Sequence, residues 1–309
     1  DEGSSGGTGA NDGTSNTDPG SSASTSTPSG TDGGTGPSSG SGNTGGGATT
    51  STPNPNPHAP EATIVLVHGS GGFKKILGVD YFFQVPGAWR AQGAKVYVAE
   101  LSSMNSIEER ANELKSQLDR IDGPLVIVAH SQGGLDARYL ITQLGYASRT
   151  RALITIGTPH HGTQVADIIF GILPGSVAHA TDVVLNVVGW SLAGTEEMTT
   201  KAMARFNAQI PDAPGVTYWS WSGRATPFGI GSGNGWLDPS LLTSWLMLNA
   251  NHIESDGLIP EASAHWGQFQ GTLTACHLGE VGQPLGATPD FDHAKFYKTL
   301  LQRLHDQGW

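Results

Sequence analysis

Apolar positions fall into short dense runs, and the longest polar stretch between them keeps helical spacing. Residues 62–69 (ATIVLVHG), 94–101 (AKVYVAEL), 124–130 (PLVIVAH) and 151–159 (RALITIGTP) are rich in β-branched side chains, and each runs into Gly, Pro, Ser or His. Unalternating runs of this length predict buried parallel strands. Between the second and third runs, Ile107, Ala111, Leu114, Leu118 and Ile121 recur at spacings of 4, 3, 4 and 3. That spacing predicts an amphipathic helix, capped by Asn105 or Ser106, with Glu108 and Glu109 in its first turn and Gly123-Pro124 as its stop. A later strand is expected at 216–223 (VTYWSWSG) and a terminal helix at 293–307 (HAKFYKTLLQRLHDQ). Strands alternating with helices imply a mostly parallel sheet covered on both faces, with ligands at the carboxyl ends of its strands. Both His68-Gly69 and His130-Ser131 fall at such ends.

The first sixty residues break this pattern. They are Gly, Ser, Thr, Asn and Pro with almost nothing apolar, too little to offset the entropy of ordering, so residues 1–60 read as a flexible tether. Residues 61–309 then form one α/β domain. A tether of this composition suits a secreted or cell-surface-tethered protein. The formal net charge is -11 and no block of Lys or Arg occurs, which argues against nucleic acid and anionic membranes as partners. Cys276 is the single cysteine, so no intramolecular disulfide forms.

The chemistry concentrates at AHSQG, residues 129–133, between a strand pattern and a helix pattern. This context is that of the nucleophile elbow, G-x-S-x-G, with Ala129 where the motif has glycine. A serine nucleophile needs a base, a carboxylate to orient the base, and donors for the oxyanion. Chain order Ser, acid, His leaves His265, His277, His293 and His305. His293, after a Pro/Asp loop and just before the last helix, is the expected base, with His277 in reserve. Asp256, in a turn before Gly257, is the expected acid, and Glu254 a weaker candidate. The backbone amides of Ser70, in the small-residue loop after the first strand, and of Gln132 are the expected oxyanion donors.

These residues resemble the true-lipase family of proteobacteria, the Pseudomonas, Burkholderia and Proteus group of the α/β-hydrolases. The likeness rests on VHGSGGF (67–73), the segment 78–101, AHSQGGLDARYL (129–140), IGTPHHGTQVAD (156–167), YWSWSG (218–223), LDPS (237–240), SDGL (255–258) and HLGEV (277–281). It implies a triacylglycerol lipase or carboxylesterase with the triad Ser131, Asp256 and His293, no cofactor, an ester or lipid substrate met at an interface, and a helical lid at about 163–200. A folding chaperone stays open as a further partner. A polyester hydrolase with the same triad and a non-catalytic binding module of the same fold are the competing readings. Family members with a disulfide have two cysteines, so that staple is missing here. Calcium-binding members carry an aspartate two residues after the catalytic histidine. Counting from His293, Lys295 stands there, and it is expected to pair with Asp238 in place of the metal.

Overall fold

The computed structural model describes residues 61–71, 75–76, 79–172, 192–285 and 287–309. The expected tether and the middle of the expected lid, with its apolar run at 183–190 (VVLNVVGW), lie outside the described residues.

The domain is built on strands β1 (Thr63–Val67), β2 (Val96–Val98), β3 (Leu125–His130), β4 (Thr150–Ile156), β5 (Thr217–Gly223) and β6 (Gln268–Leu273). Their spatial order is β2-β1-β3-β4-β5-β6, and every neighbouring pair is parallel. Helices α1 (Val85–Ala91), α2 (Ile107–Leu118), α3 (Gln132–Gln143), α4 (Gln164–Ile169), α5 (Leu192–Glu197), α6 (Thr200–Gln209), α7 (Leu242–Asn249) and α8 (His293–Asp306) fill the connections.

The unalternating strands are explained by burial on both faces. Ile64, Leu66, Val126, Val128 and Ile154 pack with Trp89 of α1 and Tyr297, Leu300 and Leu304 of α8. Their neighbours Val65, Val67, Ile127 and Leu153 face Leu114 and Leu118 of α2 and Leu140 of α3. The α2 start follows its sequence signal closely. Ser106 accepts from the Glu109 amide while the Glu109 carboxylate accepts from the Ser106 amide, a reciprocal cap that satisfies two first-turn donors. Strand β6 was not expected. Its sequence, QFQGTL, is mostly half-exposed, as the outer strand of a sheet permits.

The chain leaves β1 for β2 on one side and returns past it to β3 on the other. The crevice of such a sheet opens where strand order reverses. Here that point lies between the carboxyl ends of β1 and β3, where Val67 pairs with Ala129, so His68-Gly69-Ser70 and His130-Ser131 sit side by side.

Candidate active site

Ser131 sits between β3 and α3 with φ 55° and ψ -134°. A serine adopts positive φ at a cost, and the surroundings hold it there. The Ser131 amide donates to the Ile156 carbonyl at 3.0 Å, and the Thr158 hydroxyl donates to the Ser131 carbonyl at 2.8 Å. The turn also brings backbones together. A Cβ on Gly133 would lie 2.7 Å from the carbonyl oxygens of Val67 and His68, and one on Gly69 would lie 2.6 Å from the Ser131 Cβ. Both positions therefore exclude any side chain. Ala129 tolerates its methyl, fully buried between Val67 and Thr155 of the flanking strands.

Asp256 meets His277, not His293. The Asp256 Oδ1 accepts from the amides of Leu258 (2.8 Å) and Ile259 (2.7 Å), which leaves Oδ2 to accept from His277 Nδ1 at 2.7 Å. The His277 amide closes a second link, donating to the Asp256 carbonyl at 2.9 Å. With Nδ1 so engaged, Nε2 is the nitrogen left for chemistry. The His277 ring packs on that of His130, centroids 4.4 Å apart, and His130 is the residue immediately before Ser131.

The structure does not bring His293 to Asp256. It begins α8, packed between Phe83 and Gly282. Its Nε2 is buried without a hydrogen-bond partner among the described residues, and no carboxylate pairs with the ring. Burial lowers its pKa. Glu254 is largely exposed and pairs with Arg224 at 2.9 Å, so it is no rival to Asp256.

Two buried polar clusters flank the serine, and neither was foreseen. Beneath the His277 ring, the Glu280 Oε2 lies 3.0 Å from His130 Nε2 and 3.8 Å from His277 Nδ1, while the Tyr81 hydroxyl lies 2.7 Å from His130 Nδ1. Glu280 and His130 are fully buried. Burial, with Asp256 nearby, raises Glu280 well above the carboxylate range, and burial drives His130 well below the imidazole range. Both shifts favour a neutral acid facing a neutral imidazole. Its O–H can donate to Nε2, leaving the Nδ1–H for Tyr81. On the other side, buried Arg110 donates to Asp136 (2.8 Å) and to the His68 carbonyl (2.7 Å), tying α2 and α3 to the loop after β1. Burial lowers His68 to about 4 and raises Asp136 to about 7, the latter against the pull of Arg110. The available signal was a basic residue on the apolar stripe of α2: Arg110 is three residues from Ile107.

That tie steadies the expected oxyanion loop. The Ser70 hydroxyl and the Gly71 amide both donate to the Ser103 carbonyl, at 3.0 and 2.8 Å. Gln132 is the first residue of α3, where a helix amide has no acceptor within the helix. Its side chain donates to the Asn105 carbonyl at 3.2 Å.

A triacylglycerol lipase of Vibrio cholerae is 30% identical to this chain over 282 residues, covering 79% of the chain and 88% of the relative. The chain belongs to the triacylglycerol lipase family. A triacylglycerol lipase of Burkholderia plantarii is 28% identical over 310 residues, covering 79% of the chain and 86% of the relative. No family model matches. Among solved structures, the mature form of the Bacillus licheniformis lipase BlEst2 aligns with TM-score 0.61 at 21% identity, covering 81% of this chain and 95% of that one. The metagenomic carboxyl esterase MGS0156 aligns with TM-score 0.62 at 14% identity, covering 85% and 81%. These likenesses give the fold, that of an α/β-hydrolase.

For this lipase, the expected Lys295–Asp238 pair is also corrected. Lys295 is exposed on the first turn of α8, and no ion pair joins the two among the described residues. The Asp238 carboxylate instead accepts from the amide (2.8 Å) and hydroxyl (2.6 Å) of Ser240, capping a short helical turn. The expected place of Lys295 was counted from His293. Counted from His277, the place of the second calcium carboxylate is Gly279, which has no oxygen to offer beyond its backbone. The carboxylate that calcium-binding members carry there is absent. Beside His277, the Cys276 thiol is buried, and burial raises it to about 11.

Proposed function

We propose that the lipase cleaves acylglycerol esters through Ser131 as nucleophile, His277 as general base and Asp256 as its orienting acid. The observation that carries this reading is the 2.7 Å contact from Asp256 Oδ2 to His277 Nδ1, on a ring packed against the residue that precedes the strained serine. The Ser131 Oγ bonds to the ester carbonyl carbon while His277 Nε2 takes the hydroxyl proton. Asp256 stabilises the imidazolium, and the amides of Ser70 and Gln132 donate to the oxyanion. Collapse breaks the bond to the alcohol oxygen, which receives the proton from His277. Water then repeats the sequence on the acyl-enzyme, releasing the fatty acid and restoring Ser131.

The test joins kinetics to covalent capture. A phosphonate ester should inactivate the enzyme with a stoichiometric adduct on Ser131, located by peptide mass spectrometry. Ser131→Ala should lower release of acid from a triacylglycerol emulsion on the order of 10⁴-fold or more, with the fold intact. An adduct elsewhere, or near-normal turnover in Ser131→Ala, overturns the assignment.

A further inference from the structure

Large apolar side chains at the lipase surface are not scattered at random. Among the described residues, five of the nine exposed large apolar side chains, Phe228 (81% exposed), Ile230 (69%), Leu246, Leu242 and Trp236, come from one stretch, residues 225–250, while Met104, Ile172, Phe269 and Leu285 lie apart in the sequence. This stretch leaves the carboxyl end of β5. All strands of the sheet are parallel, so it emerges on the same end as Ser131. Exposed apolar clustering marks an interaction surface, whereas single exposed residues do not.

The stretch is built to hold these side chains outward. Phe228 has φ 62°, an uncommon conformation for an aromatic residue. The Thr226 hydroxyl and the Asn234 amide group both donate to the Ile230 carbonyl, at 2.8 and 2.9 Å. The Trp245 indole donates to the Ala225 carbonyl at 3.0 Å, fixing α7 to the root of the loop. On α7, Ser244, Met247 and Leu248 are buried, while Leu242 and Leu246, four residues apart, share the outer face.

Charge decides the occupant. Residues 225–253 contain Asp238 as their single charged side chain, with no Lys or Arg, in a chain of net charge -11. An anionic bilayer needs basic residues to hold such a protein. An uncharged lipid phase needs only apolar side chains that enter it, with aromatic rings suited to its boundary. We propose that residues 225–250 dock the enzyme on the surface of uncharged acylglycerol, with Phe228 and Ile230 entering the lipid and the outer face of α7 resting on it. This rests on the lipase reading above. It supplies a docking surface outside the segment that the sequence assigns to the lid.

Binding is measured apart from catalysis by floating the Ser131→Ala protein with triolein emulsion coated in phosphatidylcholine. Phe228→Ser with Ile230→Ser should lower the partition coefficient by about tenfold or more, from the apolar area withdrawn. Leu242→Ser with Leu246→Ser, on the neighbouring helix, should lower it by several-fold. Adding phosphatidylserine should not strengthen binding, and 1 M salt should not weaken it. In the Ser131 background, both double variants should keep kcat/KM on a dissolved short-chain ester within about twofold, while emulsion hydrolysis falls with binding. Unchanged partition in both double variants overturns the proposal. So does a wild-type dimer that the variants split without change in partition, which would make the surface a contact between two copies. A wild-type protein that binds emulsion through these residues but hydrolyses neither substrate keeps the docking surface and defeats the catalytic assignment instead.

Discussion

His277 and His293 make a natural pair for comparison. Both are buried imidazoles late in the chain, and each lies beside the final helical segments of the domain. The first meets a carboxylate at 2.7 Å whose other oxygen is held by two amides. The second meets Phe83 and a glycine. Burial alone makes an imidazole neutral; it becomes a directed base only when a partner fixes which nitrogen carries the proton. The difference therefore lies in the loop of residues 255–260, which turns Asp256 toward one histidine and away from the other.

The largest effects test that difference directly. His277→Ala should cost on the order of 10⁴-fold or more in kcat, while His293→Ala, removing a ring that touches no carboxylate, should leave kcat within a few-fold and show mainly in thermal stability. Steady-state rates on a dissolved ester decide it, and reversed outcomes would restore His293. Asp256→Asn should cost about 10⁴-fold by disturbing the tautomer of His277, whereas Glu254→Gln, on the surface beside Arg224, should be nearly silent under the same assay.

A smaller effect is expected below the base. Glu280→Ala leaves His130 Nε2 without its partner and opens a void, at about 1–3 kcal/mol of stability. Glu280→Gln keeps a neutral donor there and should cost about 1 kcal/mol or less at pH 5. Equal losses at pH 5, measured by denaturant midpoint, would show that a charge is required.

The smallest effect is in pH. His68 (about 4 when folded) and His130, held below their ordinary value near 6.5, bind fewer protons folded than unfolded. Their contribution is present at neutral pH and fades as pH falls from 6.5 toward 4. Glu280 and Asp136, raised, act in the opposite sense: they bind more protons folded, so their contribution is present in acid and fades as pH rises from about 4. Glu280→Gln removes one opposing group, so its midpoint should drop more steeply from pH 7 to pH 5 than that of the wild type. An unchanged slope would mean that Glu280 is ionised in the folded enzyme.

Strands β1 to β5, the α2 cap and the elbow were legible because each is written in neighbouring residues. Asp256 could be singled out for a similar reason, as a turn aspartate between Ser131 and the late histidines. Which histidine meets Asp256 was not legible, because the pairing joins residues 21 apart through a loop whose course no local pattern specifies. The segment HLGEV nevertheless held a clue: His277 and Glu280, three residues apart, share one buried turn. The expected Lys295–Asp238 pair, counted from His293, is replaced by a bond from Ser240 to Asp238. No local pattern singles out Arg110, Asp136 or Tyr81; packing sets them against His68 and His130, beside the loop and strand that lead to the serine.

Cys276 gives the enzyme a clock. Only the thiolate reacts with alkylating reagents, and this thiol is buried and raised to about 11, so labelling waits for the segment next to His277 to swing open. With fast reagent, the labelling rate counts those openings one by one. With slow reagent, it reports the fraction of time spent open. The chain has no second thiol to blur the signal, so the breathing of the strip that carries His277 can be timed in the unmodified sequence, with and without lipid.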